Sequence, residues 1–187
     1  MVPPATVRPD ASDDPRGPSA TRTLVVMRHA KAERQGATDF ERTLSDRGHL
    51  DAADAGAWLA ARGVAPQAAL VSAARRTEQT WEAVAAAAGW SLEPELDRAL
   101  YLADEEVVLE AVRRVAPTVG TLVVLGHNPT MHALAVWLDD GDGDPAARAT
   151  IASAYPTSAT CVLDVTGDWA DLAGGRATVR ALHVGRG

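Results

Sequence analysis

The 187-residue sequence holds one cysteine, Cys161, so no disulfide can form within the chain. That usage fits a reducing compartment. Aromatic residues make up only 4% of the chain against 47% hydrophobic residues, many of them alanine, which points to an aliphatic core. No apolar run is long enough to cross a bilayer. The opening "MVPPATVRPDASDDPRGPSATR" has no apolar stretch of the kind a secretory signal needs. Five of the 11 prolines fall there, among Asp, Ser and Gly, so residues 1–22 are expected to be a disordered tail before a single domain over residues 23–187. A net charge of -7 lacks the broad basic face of a general nucleic-acid binder. Internal repeats are missing, and so is a metal-ligand cluster: His127 and His132 are spaced as no common helical pair is, and Cys161 stands alone. The expectation is a cytoplasmic monomer that binds neither nucleic acid nor membrane and needs no metal or cofactor.

What remains is an alternation of short apolar runs and helical patterns. Strands are expected at Thr23–Met27, Ala69–Ser72, Thr121–Gly126, Thr160–Val165 and Ala177–Val184. Three of these are continuously apolar, as strands buried on both faces are. Ser45 can cap a helix that ends near Gly63, with Leu50, Ala53, Ala57, Trp58 and Ala61 at helical spacing. Further helices are expected over 74–88, over 104–115, and from Asn128 as N-cap with Pro129 at the first helical position. Asp139–Arg148 reads as a loop, and Thr166–Gly175 as a turn between two strands that pair antiparallel at one edge. This order predicts a three-layer α/β/α sandwich with a mainly parallel sheet.

In such a sheet, ligands bind beyond the carboxyl ends of the strands. The first strand ends in Arg28-His29, the second in "VSAARRTEQT", and the third in "VVLGHNPT". Each motif alone has a structural explanation. Together they place Arg28, Arg76, His29 and His127 on one rim of an acidic protein, beside a helix N-terminus. Forked guanidinium donors and free backbone N–H groups suit phosphate. On the second helix only one of Arg75 and Arg76 can face the rim, because neighbours diverge by about 100°.

Taken together, "RHA" at 28–30, "SAARRTEQT" at 72–80 and "GHNPT" at 126–130 resemble the histidine phosphatase superfamily, over a span from about Leu24 to about Leu163. The similarity is greatest to its short bacterial branch, the SixA-type phosphohistidine phosphatases, which "DFERTLSDRG" (Asp39–Gly48) also resembles. The resemblance implies a phosphoglycerate mutase-like fold. It implies a metal-independent phosphatase that works through a phosphohistidine enzyme intermediate. It assigns His29 as nucleophile, Arg28 and Arg76 as a phosphoryl clamp joined by Arg42 from a loop, His127 to the equatorial oxygens, and Asn128 to phosphate through its backbone N–H. The family pattern has glycine where this chain has Ala30; one methyl at that turn is expected to shift geometry slightly without removing function. The chemistry is self-consistent, since neutral imidazole is a competent nucleophile at phosphorus and arginines can stabilise the transferring group without a metal.

Larger relatives of that family carry inserted segments that roof the site and supply a carboxylic acid. Here "SLEPELDRALYLADEE" (Ser91–Glu106) is short, so an open site is expected. That suits a phosphoryl group on a protein, such as a phosphotransfer-type domain, better than an enclosed metabolite. Candidates for a general acid toward esters are Glu33, Asp39 and Glu41. A small-molecule phosphomonoesterase and a non-catalytic phosphate-binding module remain as alternatives. His49 is expected to be exposed, His132, one turn into the fourth helix, to have a structural role, with a place behind the site as the lesser alternative, and His183 has no assigned role. Trp58, Trp81 and Trp137 are expected in or beside the core, and Trp169 in a turn.

Overall fold

A computed structural model describes residues 21–186. The proposed tail lies outside these residues except for Thr21 and Arg22, which begin the first strand. Six strands form one sheet: β1 (Thr21–Arg28), β2 (Ala68–Ser72), β3 (Glu95–Asp97), β4 (Thr121–Gly126), β5 (Ala159–Thr166) and β6 (Ala177–Val184). Five α-helices connect them: α1 (Asp46–Ala61), α2 (Arg75–Ala88), α3 (Glu105–Arg113), α4 (Thr130–Leu138) and α5 (Pro145–Ser153). The strand order is β3-β2-β4-β1-β5-β6.

The β3, β2, β4 and β1 strands are parallel, β5 runs antiparallel to β1, and β6 antiparallel to β5. The sheet is therefore mixed, which corrects the mainly parallel expectation. The reason lies in Pro145–Ser153, half of which reads as loop in the sequence. There Asp144 accepts a hydrogen bond from the Ala147 N–H at 2.7 Å and Pro145 opens a helix. One helix after β4 would return the chain for another parallel strand. Two in succession bring it back to the carboxyl end of β1, where the Ser158 N–H donates to the His29 carbonyl at 3.1 Å, so β5 must run the other way.

Alternation along β1 divides the core in two. Leu24 and Val26 join Val108, Val112, Leu134 and Ile151 from α3, α4 and α5 on one face. Val25 and Met27 join Ala52, Ala55, Leu59, Trp81 and Val84 from α1 and α2 on the other. Helices thus cover both faces, and the three layers follow from strands apolar on both sides. The alanine-rich α1 and α2 approach closely: a Cβ at Gly56 would sit 2.3 Å from the Val84 carbonyl oxygen. Cys161 is buried in β5, and burial pushes its thiol up to about 12.

Other expectations change on inspection. Leu50, Ala57 and Ala61 are exposed, and the buried face of α1 is instead Gly48, Asp51, Ala52, Ala55, Gly56 and Leu59; Trp137 is also exposed. Trp169 sits in a short 3-10 turn as expected, yet it is fully buried, with its Nε1–H donated to the Val119 carbonyl. Beside it the buried Arg22 donates to the Pro117 carbonyl and pairs with Asp168, which explains why β1 begins two residues early. Among the described residues no helix is long and apolar enough to cross a membrane.

Candidate functional site

The carboxyl ends of β1, β2 and β4 meet at one rim. His29 follows β1, its backbone N–H donating to the Gly126 carbonyl at 3.0 Å. The His29 and His127 rings stand 5.2 Å apart. His29 Nδ1 donates to the Ala30 carbonyl at 2.7 Å. That bond assigns the neutral tautomer and leaves the Nε2 lone pair as the only one the ring can offer. Ala30 itself is fully buried, and its N–H donates to Thr80 Oγ1 at 3.1 Å. Its φ is not positive, so the methyl at this turn adds no backbone strain. The chain beyond is anchored where Ser45 donates from both its N–H and its Oγ to the Lys31 carbonyl, while Ser45 Oγ also caps α1 through the Gly48 N–H. A side chain at Gly48 would collide with that same carbonyl, 2.0 Å from the Cβ position.

Arg76 is 6% exposed, whereas Arg75 points outward to Glu78 and Glu82. Arg28 Nη1 donates to the Tyr155 carbonyl at 2.9 Å, and Asn128 Nδ2 to the same oxygen at 2.8 Å. Asn128 is therefore not the N-cap of α4, a place held by Pro129. Its side chain ties the β4 end to the loop before β5 instead. His132 stacks on Tyr155 with ring centroids 5.8 Å apart and so supports that loop from behind. Arg28 Nε, Arg76 Nε, His127 Nδ1 and Asn128 Oδ1 are all buried without a hydrogen-bond partner among the described residues. Three of these four belong to donors aimed for in the sequence, a concentration that suits an anion.

One carboxylate already engages the outer nitrogens of Arg76, and Arg42 beside it. Asp39 accepts from Tyr101 Oη at 2.5 Å and Arg76 Nη2 at 3.1 Å on Oδ2, and from Arg42 Nη1 at 2.8 Å on Oδ1. Its backbone carbonyl takes Arg76 Nη1 at 2.6 Å. The Tyr101 hydroxyl, with Arg42 and Arg76, holds the carboxyl well below the usual carboxylate range. Asp39, one of the three carboxylates the sequence nominated as a general acid, is thus ionised as placed. Of the other two candidates, Glu41 accepts from the Thr38 hydroxyl on the exposed loop, and Glu33 is exposed, with its backbone carbonyl held by Arg42 Nε. Tyr101 escaped the sequence reading: it comes from a four-residue 3-10 turn (Arg98–Tyr101) after the three-residue β3, both too short to show a period. It lies edge-on to His127 at 5.4 Å and beneath Arg76 at 5.6 Å. Asp39→Asn is expected to strengthen vanadate inhibition roughly two- to fivefold, the range a half-exposed ion pair allows. Unchanged or weaker inhibition would show that the carboxylate does not compete with anions for Arg42 and Arg76.

Burial pushes the His29 imidazole down to about 4, against the bond to Ala30 and with the charges of Arg76, Arg28 and Arg42 adding to it. Burial also brings His127 down to about 3, helped by His29 and Arg76. Both rings are neutral at pH 7, which suits a nucleophile. Between about 4 and the ordinary value of 6.5 the unfolded chain binds more protons than the folded one. The stability these rings allow is therefore complete above about pH 6.5 and falls as the pH drops toward 4. Urea unfolding should show this loss across that window, and it should shrink in His29→Asn. An equal loss in the variant would mean that the His29 ring is not held neutral. Away from the rim, His183 pairs with Asp54 and stacks on Trp58, and His49 is exposed. No group of three or more His, Cys, Asp or Glu among the described residues could hold a metal ion.

The family model of the histidine phosphatase superfamily (branch 1) matches residues 24–101, a segment that holds Arg28, His29, Arg42 and Arg76. An uncharacterised protein of Mycobacterium tuberculosis is 41% identical over 162 residues, which is 86% of this chain and 100% of that protein. A structure from Nakamurella multipartitia, named "Putative Phosphohistidine Phosphatase SixA", is 33% identical with a TM-score of 0.77, over 91% of this chain and 99% of that one. A phosphoglycerate mutase of Bacillus anthracis is similar in fold, at 15% identity and a TM-score of 0.57, over 87% of this chain and 93% of that one.

Proposed function

Belonging as it does to the histidine phosphatase superfamily, the chain is a phosphatase, and we propose that the group it removes is a phosphoryl carried on a histidine of another protein. The observation that supports turnover through a phosphohistidine at residue 29 is the 2.7 Å bond from His29 Nδ1 to the Ala30 carbonyl, which leaves Nε2 with the free lone pair a nucleophile needs. Nε2 attacks phosphorus as the bond from phosphorus to the substrate's ring nitrogen breaks. The leaving ring, protonated on its other nitrogen, departs as neutral imidazole. Water then attacks the phosphohistidine at residue 29, releases inorganic phosphate and restores the free ring. Arg28, Arg76 and Arg42 hold the phosphoryl oxygens, His127 and the Asn128 backbone N–H complete the cradle, and charge developing in flight is met by fixed donors without a metal.

Two features favour a phosphohistidine over an ester. The leaving group needs no acid, and Asp39, the carboxylate nearest the arginines, is held ionised. Ser91–Glu106 contributes only the edge strand β3, one 3-10 turn and the first two residues of α3, with no inserted segment to roof the rim, so a phosphorylated side chain can approach while still attached to its domain. The similarity to a structure named as a SixA phosphohistidine phosphatase supports the same reading.

The test is a panel in EDTA: a phosphorylated phosphotransfer domain against sugar, nucleotide and glycerate phosphates and an aryl phosphate. The domain should be the best substrate by at least about a hundredfold in kcat/KM, or about 2.7 kcal/mol in barrier. A metabolite in first place would make the protein a small-molecule phosphomonoesterase. Anion binding with no turnover of any substrate would make it a binding module.

A further inference from the structure

We propose that Ser72 is a positioning residue that sets the tautomer of His127, so that a neutral ring still presents an N–H to the phosphoryl group. The last residue of β2, Ser72 is fully buried, and its Oγ lies 2.8 Å from His127 Nε2. His127 is itself only 9% exposed, and its Nδ1 has no partner among the described residues.

Two arrangements of the pair are chemically possible. In one, Nε2–H donates to Ser72 Oγ. The hydroxyl hydrogen is then left buried with no acceptor, and Nδ1 presents a lone pair to the anion. In the other, Ser72 O–H donates to the Nε2 lone pair. The hydroxyl is satisfied, and the proton on the ring sits at Nδ1, the one nitrogen left to face a ligand. Only the second satisfies both buried groups and offers the anion a donor rather than a repelling lone pair. The groups around the ring reinforce it. Burial first, and then His29, Arg76 and Arg28, disfavour a second proton, with only Asp39 opposing, so the ring is neutral in the anion-free site. The tautomer then decides whether that neutral ring offers an arriving anion a donor, and Ser72 controls it. Tyr101 packs edge-on against the ring without reaching either nitrogen with a hydrogen bond, because its hydroxyl is committed to Asp39.

The motif "VSAARRTEQT" thus supplies two parts of the site: Arg76 for the anion directly, and Ser72 four residues earlier for the histidine that assists it. This inference rests on the reading that the rim takes a phosphoryl group, and its test separates the two.

Ring nitrogens of 15N-histidine-labelled protein, free and with orthovanadate bound, are observed at neutral pH for the parent, Ser72→Ala and Ser72→Thr. The parent should show His127 with a pyrrole-type Nδ1 and a pyridine-type Nε2. Ser72→Ala should lose that pattern and lower both vanadate affinity and kcat/KM by roughly ten- to a hundredfold, the scale of one lost transition-state donor or somewhat less. Ser72→Thr keeps the hydroxyl and should recover most of both. If threonine prevents folding, Ser72→Cys, with its weaker donor, should fall between alanine and the parent. A pyridine-type Nδ1 in the parent overturns the proposal. So does a Ser72→Ala protein that keeps the parent pattern, whether it is active, which leaves the hydroxyl idle, or inactive, which leaves it a merely structural role. A parent with the expected pattern, lost in Ser72→Ala, but with no turnover of any phosphorylated substrate would overturn the proposed function and leave this inference standing.

Discussion

Replacing His29 by alanine is expected to lower turnover at least about a thousandfold, a barrier increase of about 4 kcal/mol, with the fold intact. The ring is the only group on the rim that combines a fixed tautomer with a free Nε2 lone pair. Without it, the arginines can bind phosphate but cannot accept the phosphoryl group. The fold should survive because the side chain makes one hydrogen bond, to its neighbour's carbonyl, and takes no part in either apolar cluster. Rapid quench into alkaline detergent, in which the P–N bond survives, with radiolabelled substrate should trap phosphoprotein in the parent and none in the variant, while thermal melts at pH 7.5 stay close together. Residual activity within about tenfold of the parent, or about 1.4 kcal/mol, would remove His29 from the nucleophile's role.

The second large effect is a contrast between neighbours. Arg76→Ala should lower kcat/KM by roughly two to three orders of magnitude and weaken vanadate inhibition with it, since the same forked donors serve the bound anion and the transition state. Arg75→Ala should stay within about twofold, because its exposed side chain only pairs with Glu78 and Glu82 and such pairs contribute little. Its backbone N–H, which donates to the Phe40 carbonyl, is untouched by the substitution. Arg76→Lys distinguishes fork from charge: a buried ammonium keeps the charge, loses the bidentate geometry, and should recover only part of the loss. The reverse ranking of Arg75 and Arg76 would contradict the orientation of α2. Silence at both positions would leave the anion reading without its main donor.

That orientation was legible in the sequence, as was much of the fold. Helical period says that only one of Arg75 and Arg76 faces the rim, and the resemblance points to Arg76; the apolar runs at Thr121–Gly126 and Ala177–Val184 match β4 and β6. Ser45 caps α1 and Gly89 ends α2 at φ 71°, both by local chemistry that a sequence states directly. The placement of Arg28, His29 and His127 at strand ends follows from the same periodicity, since a strand that stops being apolar stops being buried.

Tertiary structure decided what no local pattern contains. The direction of β5 depends on α5, a helix of weak apolar pattern recognisable mainly by Asp144 and Pro145 at its start. Asn128 looked like a helix cap, but its amide is drawn to the Tyr155 carbonyl, which Arg28 shares across 127 positions of sequence. Asp39 was one of three general-acid candidates, with Glu33 and Glu41, because residue type alone does not state a carboxyl's charge at a site. Its neighbours Tyr101, Arg42 and Arg76 settle its charge, and Tyr101 lies 62 residues away. By itself the sequence determined which groups stand at the ends of strands, because burial and period act over a few residues. Which of them meet, and in which protonation state, was decided by packing between segments whose separation no sequence period can encode.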